Sequence, residues 1–158
     1  MLNILLGIGI IVAVFFLLKK IQSKSVSALE TKQEGLNYLQ AHQSEEGTTT
    51  TASGLQMQTL EEGAGNVHPK LTDKVLVHYH GMLINGQVFD SSVDRQKPIT
   101  FALNQVIKGW TEGLQVMVEG QKSRLVIPSQ LAYGSRSMSG IPAHSVLIFD
   151  VELIKINP

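Results

Sequence analysis

The chain has 158 residues, no cysteine, and 13 basic residues balanced by 13 acidic residues. This length accommodates one domain of ordinary size together with a shorter additional segment. A net charge of zero argues against a general nucleic-acid-binding protein, because such proteins carry a basic surface patch. The absence of cysteine excludes disulfide bonds and thiolate chemistry.

The first predicted element is a helix that spans a membrane. Residues 2–18 are almost entirely apolar, and Asn3 is their one polar side chain. A helix of this length is about 25 Å long, near the shortest that crosses a bilayer. No basic residue precedes the apolar run, and Val26-Ser27-Ala28, which resembles a signal-peptide cleavage site, lies well beyond it. We therefore predict an uncleaved transmembrane anchor over residues 1–20.

The charges beside this apolar segment predict its orientation in the membrane. Lys19, Lys20 and Lys24 follow the segment, whereas only the terminal amine precedes it. Because basic residues favour the cytoplasmic side of a membrane, these charges place the following domain in the cytoplasm. A periplasmic domain is the alternative, because few charges decide the orientation.

Residues 25–43 are predicted to continue as a helix after the anchor. Leu29, Leu36 and Leu39 recur at spacings that suit one helical face. This apolar face is too short for a coiled coil, which needs about three heptads or more. We therefore predict a solvated stalk, with a dimerising helix as the alternative.

The segment that follows the stalk has the composition of a linker. Residues 44–53 contain mainly Glu, Gly, Thr and Ser, which give the segment little capacity to bury apolar surface. The chain is therefore predicted to comprise a transmembrane anchor helix (1–20), a helical stalk with its linker (21–52) and a folded domain (53–158).

The folded domain begins with a pattern of short strands. Residues 74–84 form the longest candidate, in which Val75, Val77 and Tyr79 point to one face of a sheet. Asn85-Gly86 follows this strand and predicts a type I′ hairpin turn, because both residue types tolerate a positive φ.

One helix is predicted among these strands, over residues 105–117. Trp110, Leu114 and Met117 lie at positions i, i+4 and i+7 and give the helix one apolar face. A long apolar strand is predicted near the end of the chain, over residues 146–156. Because strands dominate and do not alternate with helices, the fold class is α+β, with an antiparallel sheet packed against one short helix.

Five separated motifs, in this order, resemble the FKBP family of prolyl isomerases. They are V-H-Y-H-G-M-L (77–83), G-Q-V-F-D-S-S (86–92), V-I-K-G-W-T-E-G-L (106–114), L-A-Y-G (131–134) and I-P-A-H-S-V-L-I-F-D-V-E-L (141–153). The helical segment before the domain is similar to that of bacterial members of the macrophage infectivity potentiator type, which implies a bacterial inner membrane for the anchor. The segment is much shorter here, so dimerisation through it is not favoured.

The resemblance implies an antiparallel sheet half-wrapped around a short helix, with a shallow apolar pocket between them. It also implies a peptidyl-prolyl cis-trans isomerase that acts on proline-containing polypeptides during protein folding, without a cofactor or a metal. Matched motif by motif, Trp110 forms the floor of a substrate-binding pocket lined by Tyr79, Phe89, Asp90, Phe101, Val106, Ile107, Trp110, Tyr133, Ile141 and Phe149.

The chemistry of this reaction explains such an apolar pocket. Rotation about a peptide bond sacrifices amide resonance and has a barrier of about 18–20 kcal/mol. Water stabilises the planar amide better than the twisted one, so an apolar site favours the transition state in relative terms. Asp90, Tyr133 and Tyr79 are the candidate catalytic residues. Tyr133 is predicted to donate a hydrogen bond to a substrate carbonyl, and Asp90 to orient the substrate while Tyr79 holds it.

Two departures from the family pattern affect the predicted pocket. Ile99 stands where many relatives carry an aromatic residue, and the loop 135–139, which includes Met138, is shorter than in single-domain eukaryotic members. Macrolides of the tacrolimus type are nevertheless expected to compete for the pocket.

Other interpretations of these residues remain open. Taken singly, Trp110 and the pocket phenylalanines are better explained as core residues, and only the combined set indicates an active site. A non-catalytic, membrane-tethered chaperone or scaffold of the same fold is the alternative function. His78 and His80 lie on one strand face, but two histidines do not complete a metal site, so no metal is predicted.

Overall fold

A computed structural model describes the backbone of residues 2–158 and the side chains of residues 17–158. The elements follow one another in this order: α1 (Leu2–His42), β1 (Thr48–Thr50), β2 (Gln56–Glu61), β3 (Lys74–Leu83), β4 (Val88–Ser91), β5 (Ile99–Ala102), α2 (Lys108–Leu114), β6 (Lys122–Ile127) and β7 (Leu147–Ile156). Short 3₁₀ turns at Leu103–Gln105 and Ser129–Leu131 precede α2 and follow β6.

The strands form one antiparallel sheet of seven strands in the described chain, in the order β1-β2-β6-β7-β3-β4. β5 pairs with the first half of β3, on the edge that β4 occupies further along. Partly buried and fully buried residues alternate along β3 after its exposed first residue, and its buried side chains include Val75, Val77 and Tyr79. The α+β architecture with an antiparallel sheet, predicted from the strand pattern, is confirmed.

Helix α2 packs directly on the concave face of the sheet because glycines line its contact surface. A Cβ atom at Gly109 would lie 2.5 Å from Cγ2 of Ile127, and one at Gly113 would lie 2.9 Å from Cδ1 of Leu125. Trp110 and Leu114, on the same helix, are buried in the main core. The close approach of helix and sheet fixes the position of the Trp110 ring.

The observed helix is shorter than the predicted one over 105–117. After Leu114 the backbone hydrogen bonds span three residues instead of four, from Val116 to Gly113 and from Met117 to Leu114. This tighter winding ends α2, although Met117 is fully buried as its apolar position predicts.

The last turns of α1 pack against the convex face of the sheet, whereas a solvated stalk is predicted there. A Cβ atom at Gly35 would lie 2.8 Å from Cγ2 of Val146. The buried ring of His42 is hydrogen-bonded through Nδ1 to Oε1 of Gln56 at 2.8 Å, and Gln56 Nε2 donates to the carbonyl of Leu39 at 2.8 Å. A second apolar cluster therefore joins α1 to the sheet, formed by Val126, Val146 and Ile148 with Tyr38, Leu39, Met82 and Ile84.

Part of the segment predicted as a linker, residues 44–53, forms a strand in the structure. Thr48–Thr50 form β1, which pairs with β2 and extends the edge of the sheet. The β-branched threonines suit an extended edge strand, but the surrounding Gly and Ser residues conceal this signal in the composition.

No helix among residues 17–158 is both long and apolar enough to cross a membrane. The anchor predicted over residues 1–20 lies, except for its last four residues, outside the side chains that the structure describes.

Candidate active site

The concave side of the domain contains an open hollow of about 950 Å³, within the size range of small-ligand pockets. Every residue predicted for substrate binding lines it: Tyr79, Phe89, Asp90, Phe101, Val106, Ile107, Trp110, Tyr133, Ile141 and Phe149. Strands β3, β4, β5 and β7, helix α2 and the loops around residues 106 and 133–141 bring these side chains together.

Trp110 forms the floor of this hollow and is only 4% exposed. Its ring meets Tyr79 and Phe149 nearly at right angles, at centroid distances of 5.2 Å in both cases. Phe101 approaches it similarly at 5.6 Å. Edge-to-face contacts of this kind are favourable for aromatic rings. The floor is therefore a fixed aromatic surface.

Gly81 allows two phenylalanine rings to stand over strand β3. A Cβ atom at this position would lie 2.7 Å from Cε1 of Phe149 and 2.9 Å from Cζ of Phe89. These two rings contact each other edge to face, with centroids 5.4 Å apart. A residue without a side chain is therefore required at Gly81 if both rings are to line the hollow.

Asp90 is held by two partners at one side of the hollow. Tyr79 Oη donates a hydrogen bond to Oδ2 of Asp90 at 2.5 Å, and Nη1 of Arg95 donates to Oδ1 at 2.5 Å. Nη2 of Arg95 also donates to Oη of Tyr79 at 3.1 Å. The predicted contact between Tyr79 and Asp90 is therefore present in the structure.

Arg95 was not identified from the sequence as part of the site. It lies in the loop after β4, where no periodicity indicates the direction of a side chain. A carboxylate in an apolar pocket needs a partner, and Arg95 is the basic residue nearest to Asp90 along the chain. Its closeness to Asp90 in the sequence was the one signal that could have identified Arg95 as the partner of this carboxylate.

This network fixes the charge states of Asp90 and Tyr79. Burial by itself raises the pKa of Asp90, but the hydrogen bonds from Tyr79 and Arg95 and the charge of Arg95 outweigh it, so the pKa lies below its ordinary value. Burial, followed by the hydrogen bond to Asp90, raises the pKa of Tyr79. At neutral pH Asp90 is therefore an ionised carboxylate neutralised by Arg95, and Tyr79 keeps its proton.

Tyr133 also lines the hollow, half-buried in the segment after β6. Its hydroxyl makes no hydrogen bond to another described side chain or to the described backbone, so it can bond to a bound peptide. Met138 also lines the hollow and is 48% exposed. Ile99 instead packs against the main core and does not line the hollow, so its replacement of an aromatic residue does not alter the pocket wall directly.

The two histidines of β3 lie on the sheet face that points away from the hollow. Nδ1 of His78 is hydrogen-bonded to Oγ of Ser92 at 2.7 Å, and Nδ1 of His80 to Oγ of Ser91 at 2.9 Å. Residues 17–158 contain no group of three or more side chains arranged to hold a metal ion. These histidines therefore serve to connect β3 with the strand and loop beside it.

Comparison with known sequences agrees with this geometry. Residues 65–154 match the family model described as FKBP-type peptidyl-prolyl cis-trans isomerase. The chain is 53% identical over 130 residues to FkpA of Aeromonas hydrophila, covering 82% of this chain and 48% of the relative. It is 48% identical over 127 residues to the macrophage infectivity potentiator of Trypanosoma cruzi, covering 80% of this chain and 65% of the relative. The chain thus spans about half the length of the FkpA relatives.

Solved structures show the same relationship. The crystal structure of FkpA from Escherichia coli superposes with a TM-score of 0.82 at 43% identity, covering 86% of this chain and 63% of that one. A peptidyl-prolyl cis-trans isomerase from Pseudomonas syringae pv. tomato gives a TM-score of 0.75 at 35% identity, covering 82% of this chain and 95% of that one. The chain therefore belongs to the FKBP-type peptidyl-prolyl cis-trans isomerase family.

Proposed function

We propose that this chain catalyses the cis-trans isomerisation of Xaa-Pro bonds in polypeptide substrates and thereby assists protein folding. One observation supports this most strongly: a single apolar hollow, floored by Trp110, contains Tyr79, Asp90 and Tyr133 together. Without a catalyst, isomerisation of an Xaa-Pro bond takes roughly tens to hundreds of seconds. This step is slow enough to limit protein folding, so its acceleration assists folding.

The apolar floor provides the main catalytic effect in this proposal. The proline ring rests on Trp110 and is enclosed by Tyr79, Phe101 and Phe149, whose rings already contact one another. The planar amide loses its contacts with water on entering this surface. The twisted transition state has a weaker carbonyl dipole, so it loses less hydration free energy than the planar amide does. The barrier to rotation therefore falls through differential binding.

The polar residues of the site orient the substrate without transferring protons. Tyr133 donates its free hydroxyl to a substrate carbonyl and fixes the peptide on one side of the twisting bond. Asp90 faces the substrate from the other side, and its charge is already compensated by Arg95. Arg95 is a positioning residue that acts through Asp90 and Tyr79.

The isomerisation of a short, neutral Gln-Pro peptide tests this function. Its rate is measured by exchange spectroscopy in the presence of the full chain in non-ionic detergent. We expect catalysed exchange well above the uncatalysed rate. Tyr133→Phe and Asp90→Asn should each reduce kcat/KM about tenfold or more, in the range of a lost transition-state contact. Exchange no faster than in the peptide alone would refute the catalytic function.

Matched control variants separate the site from general effects of substitution. Tyr38→Phe removes the same hydroxyl on the convex side of the sheet, and Asp94→Asn removes a carboxylate that is 64% exposed outside the hollow. Both should keep wild-type kcat/KM. Equal losses in control and site variants would show that the assigned roles of Tyr133 and Asp90 are wrong.

We further propose that residues 1–20 anchor the chain in a bacterial inner membrane. The uniformly apolar residues 2–18 support this, and Lys19, Lys20 and Lys24 favour a cytoplasmic domain over a periplasmic one. A compartment-dependent reporter fused to the C-terminus tests both points. Activity of a periplasmic reporter would reverse the orientation, and recovery of the fusion in the soluble fraction would refute the anchor.

Macrolides of the tacrolimus type are proposed to bind in the same hollow, which the aromatic floor supports. Trp110 is the one tryptophan of the chain, so its fluorescence reports binding at this site without interference. We expect a saturable fluorescence change and competition with the peptide. Dimerisation through α1 is not favoured, and sedimentation in detergent should give the mass of one chain per particle.

A further inference from the structure

We propose that the hollow selects Xaa-Pro segments flanked by acidic side chains, a preference that rests on the proposed isomerase function. The proposal follows from the charges around the hollow. Asp90, the one carboxylate among the described residues that line the hollow, is neutralised by Arg95, which binds it directly at 2.5 Å. The negative charge of the site is therefore unavailable to attract a basic substrate.

Two further cations, Lys108 and Arg136, line the same hollow. Lys108 begins helix α2 and Arg136 lies in the loop beyond Tyr133, and both side chains are exposed at the rim. Within residues 17–158 neither forms an ion pair with a carboxylate. The remaining polar side chains of the lining are neutral: Tyr79, Gln105, Gln130, Tyr133 and Ser139.

The acidic residue nearest to Lys108 along α2 forms no ion pair with it among the described side chains. Glu112 lies one helical turn further on; it does not line the main hollow, and it shares an adjoining hollow with Lys108. Both of its carboxylate oxygens accept hydrogen bonds from Oγ of Ser53, at 2.9 and 2.7 Å. Glu112 is thereby engaged with the segment before β2. Because Asp90 is paired with Arg95, Lys108 and Arg136 leave the lining of the main hollow with an excess of positive charge.

These rim cations act on the residues beside the proline and leave the apolar floor to the proline ring. An exposed carboxylate of the substrate gains a modest attraction from each cation, whereas a lysine is repelled by both. Rim charges chiefly affect the association rate and lose their effect in salt, because exposed charges are screened. The combined preference for a glutamate over a lysine is expected to be about fivefold.

Two peptide series test this selectivity with the full chain. In one series the residue before proline is Glu, Gln or Lys, and in the other the residue after proline varies in the same way. The kcat/KM ratio of Glu to Lys peptides is measured by exchange spectroscopy at low salt and at high salt. At low salt, the series whose varied residue lies nearer the rim cations should give a Glu-to-Lys ratio of kcat/KM of about five. At high salt this ratio should fall toward one.

Variants assign the selectivity to individual side chains. Lys108→Gln and Arg136→Gln should each lower the Glu-to-Lys ratio, and the double variant should bring it to about one. Lys155→Gln removes the same charge from an exposed position on the convex side of β7 and should keep the wild-type ratio. The ratio is informative even if a variant changes overall activity, because both peptides experience the same enzyme.

The neutral Gln-Pro peptide separates failure of this proposal from failure of the isomerase function. Acceleration of the Gln peptide with equal rates for Glu and Lys peptides in both series overturns the acidic preference alone. A preference that persists in the double variant also overturns it, because another part of the chain would then be responsible. No acceleration of any peptide refutes the isomerase function and the preference with it.

Discussion

Replacement of Gly109 by alanine tests whether the close contact of α2 with the sheet sets the position of the pocket floor. In an exposed helix this substitution stabilises by about 0.5–1 kcal/mol, because glycine carries a large entropic cost. Here the added Cβ would lie 2.5, 2.9 and 3.0 Å from three atoms of Ile127, which is fully buried. Ile127 cannot withdraw from this contact without disturbing the core.

The net effect follows from these opposing contributions. Overpacking of a close-packed interior destabilises by about 1–3 kcal/mol. After the helix-propensity gain is subtracted, Gly109→Ala should lower the free energy of unfolding by about 1–2 kcal/mol. Because Trp110 follows directly in the chain, displacement of α2 should also lower kcat/KM.

A double-mutant cycle separates the clash from any other effect of the substitution. Ile127→Ala removes all three clashing atoms and by itself destabilises by about 2–5 kcal/mol. In that background Gly109→Ala should instead stabilise by about 0.5–1 kcal/mol, because only the propensity gain remains. Urea unfolding of the full chain, followed by Trp110 fluorescence, measures each step. The same destabilisation in both backgrounds would refute the steric explanation.

Two other predictions concern the charge network and the docking of α1. Asp90 has a lowered pKa in the folded chain, so its contribution to stability is present above its unfolded pKa of about 3.9 and is lost as the pH falls through the lower folded value. Arg95→Gln removes a hydrogen bond to Asp90 and a positive charge beside it, so the pKa of Asp90 should rise and the acid limb of the pH-rate profile should move to higher pH. An acid limb at the same pH in the variant would show that Arg95 does not control the pKa of Asp90. Gly35→Val should clash with the sheet and increase amide hydrogen exchange in residues 28–42, and unchanged protection there would mean that this contact does not hold α1.

The sheet was predictable because its strands carry a clear alternation of apolar and polar residues. Val75, Val77 and Tyr79 in β3 are buried as the period of two requires. The hairpin after β3 was located correctly by Asn85-Gly86, but of this pair only Gly86 has a positive φ, at +83°. The turn is therefore not type I′, which requires a positive φ at both central residues. Asparagine tolerates a positive φ but does not require one, and Asn85 does not adopt it here.

The docking of α1 could not be predicted from local patterns. The contact depends on Gly35 and Val146, which are far apart in sequence, and a glycine contributes nothing to an apolar periodicity. Of the leucines that suggested one helical face, Leu29 and Leu36 are 66% and 51% exposed, whereas Leu39 packs on the sheet. The helix thus turns Gly35, Tyr38, Leu39 and His42 toward the domain, and only one of the three leucines lies on that face.

The lining of the candidate site could be predicted, including the polar residues Asp90, Tyr79 and Tyr133, whereas the cations around it could not. Nine of the ten pocket residues lie in motifs whose order is distinctive, Phe101 being the exception, and all ten line one hollow. Arg95, Lys108 and Arg136 were not identified, because they lie in loops or at a helix end where spacing does not determine direction. These cations contribute most of the charge around the hollow, so the sequence indicated the apolar lining better than the charges at its rim.

Binding of a proline ring over Trp110 is tested most directly by the indole N–H resonance of this residue in the isotope-labelled full chain. That N–H is buried and has no hydrogen-bond partner among the described residues, so its signal reports changes at the floor of the hollow. A Gln-Pro peptide should shift the resonance progressively, and the same peptide with alanine in place of proline should not. Catalysed exchange of the proline peptide with an unmoved indole signal would contradict this site.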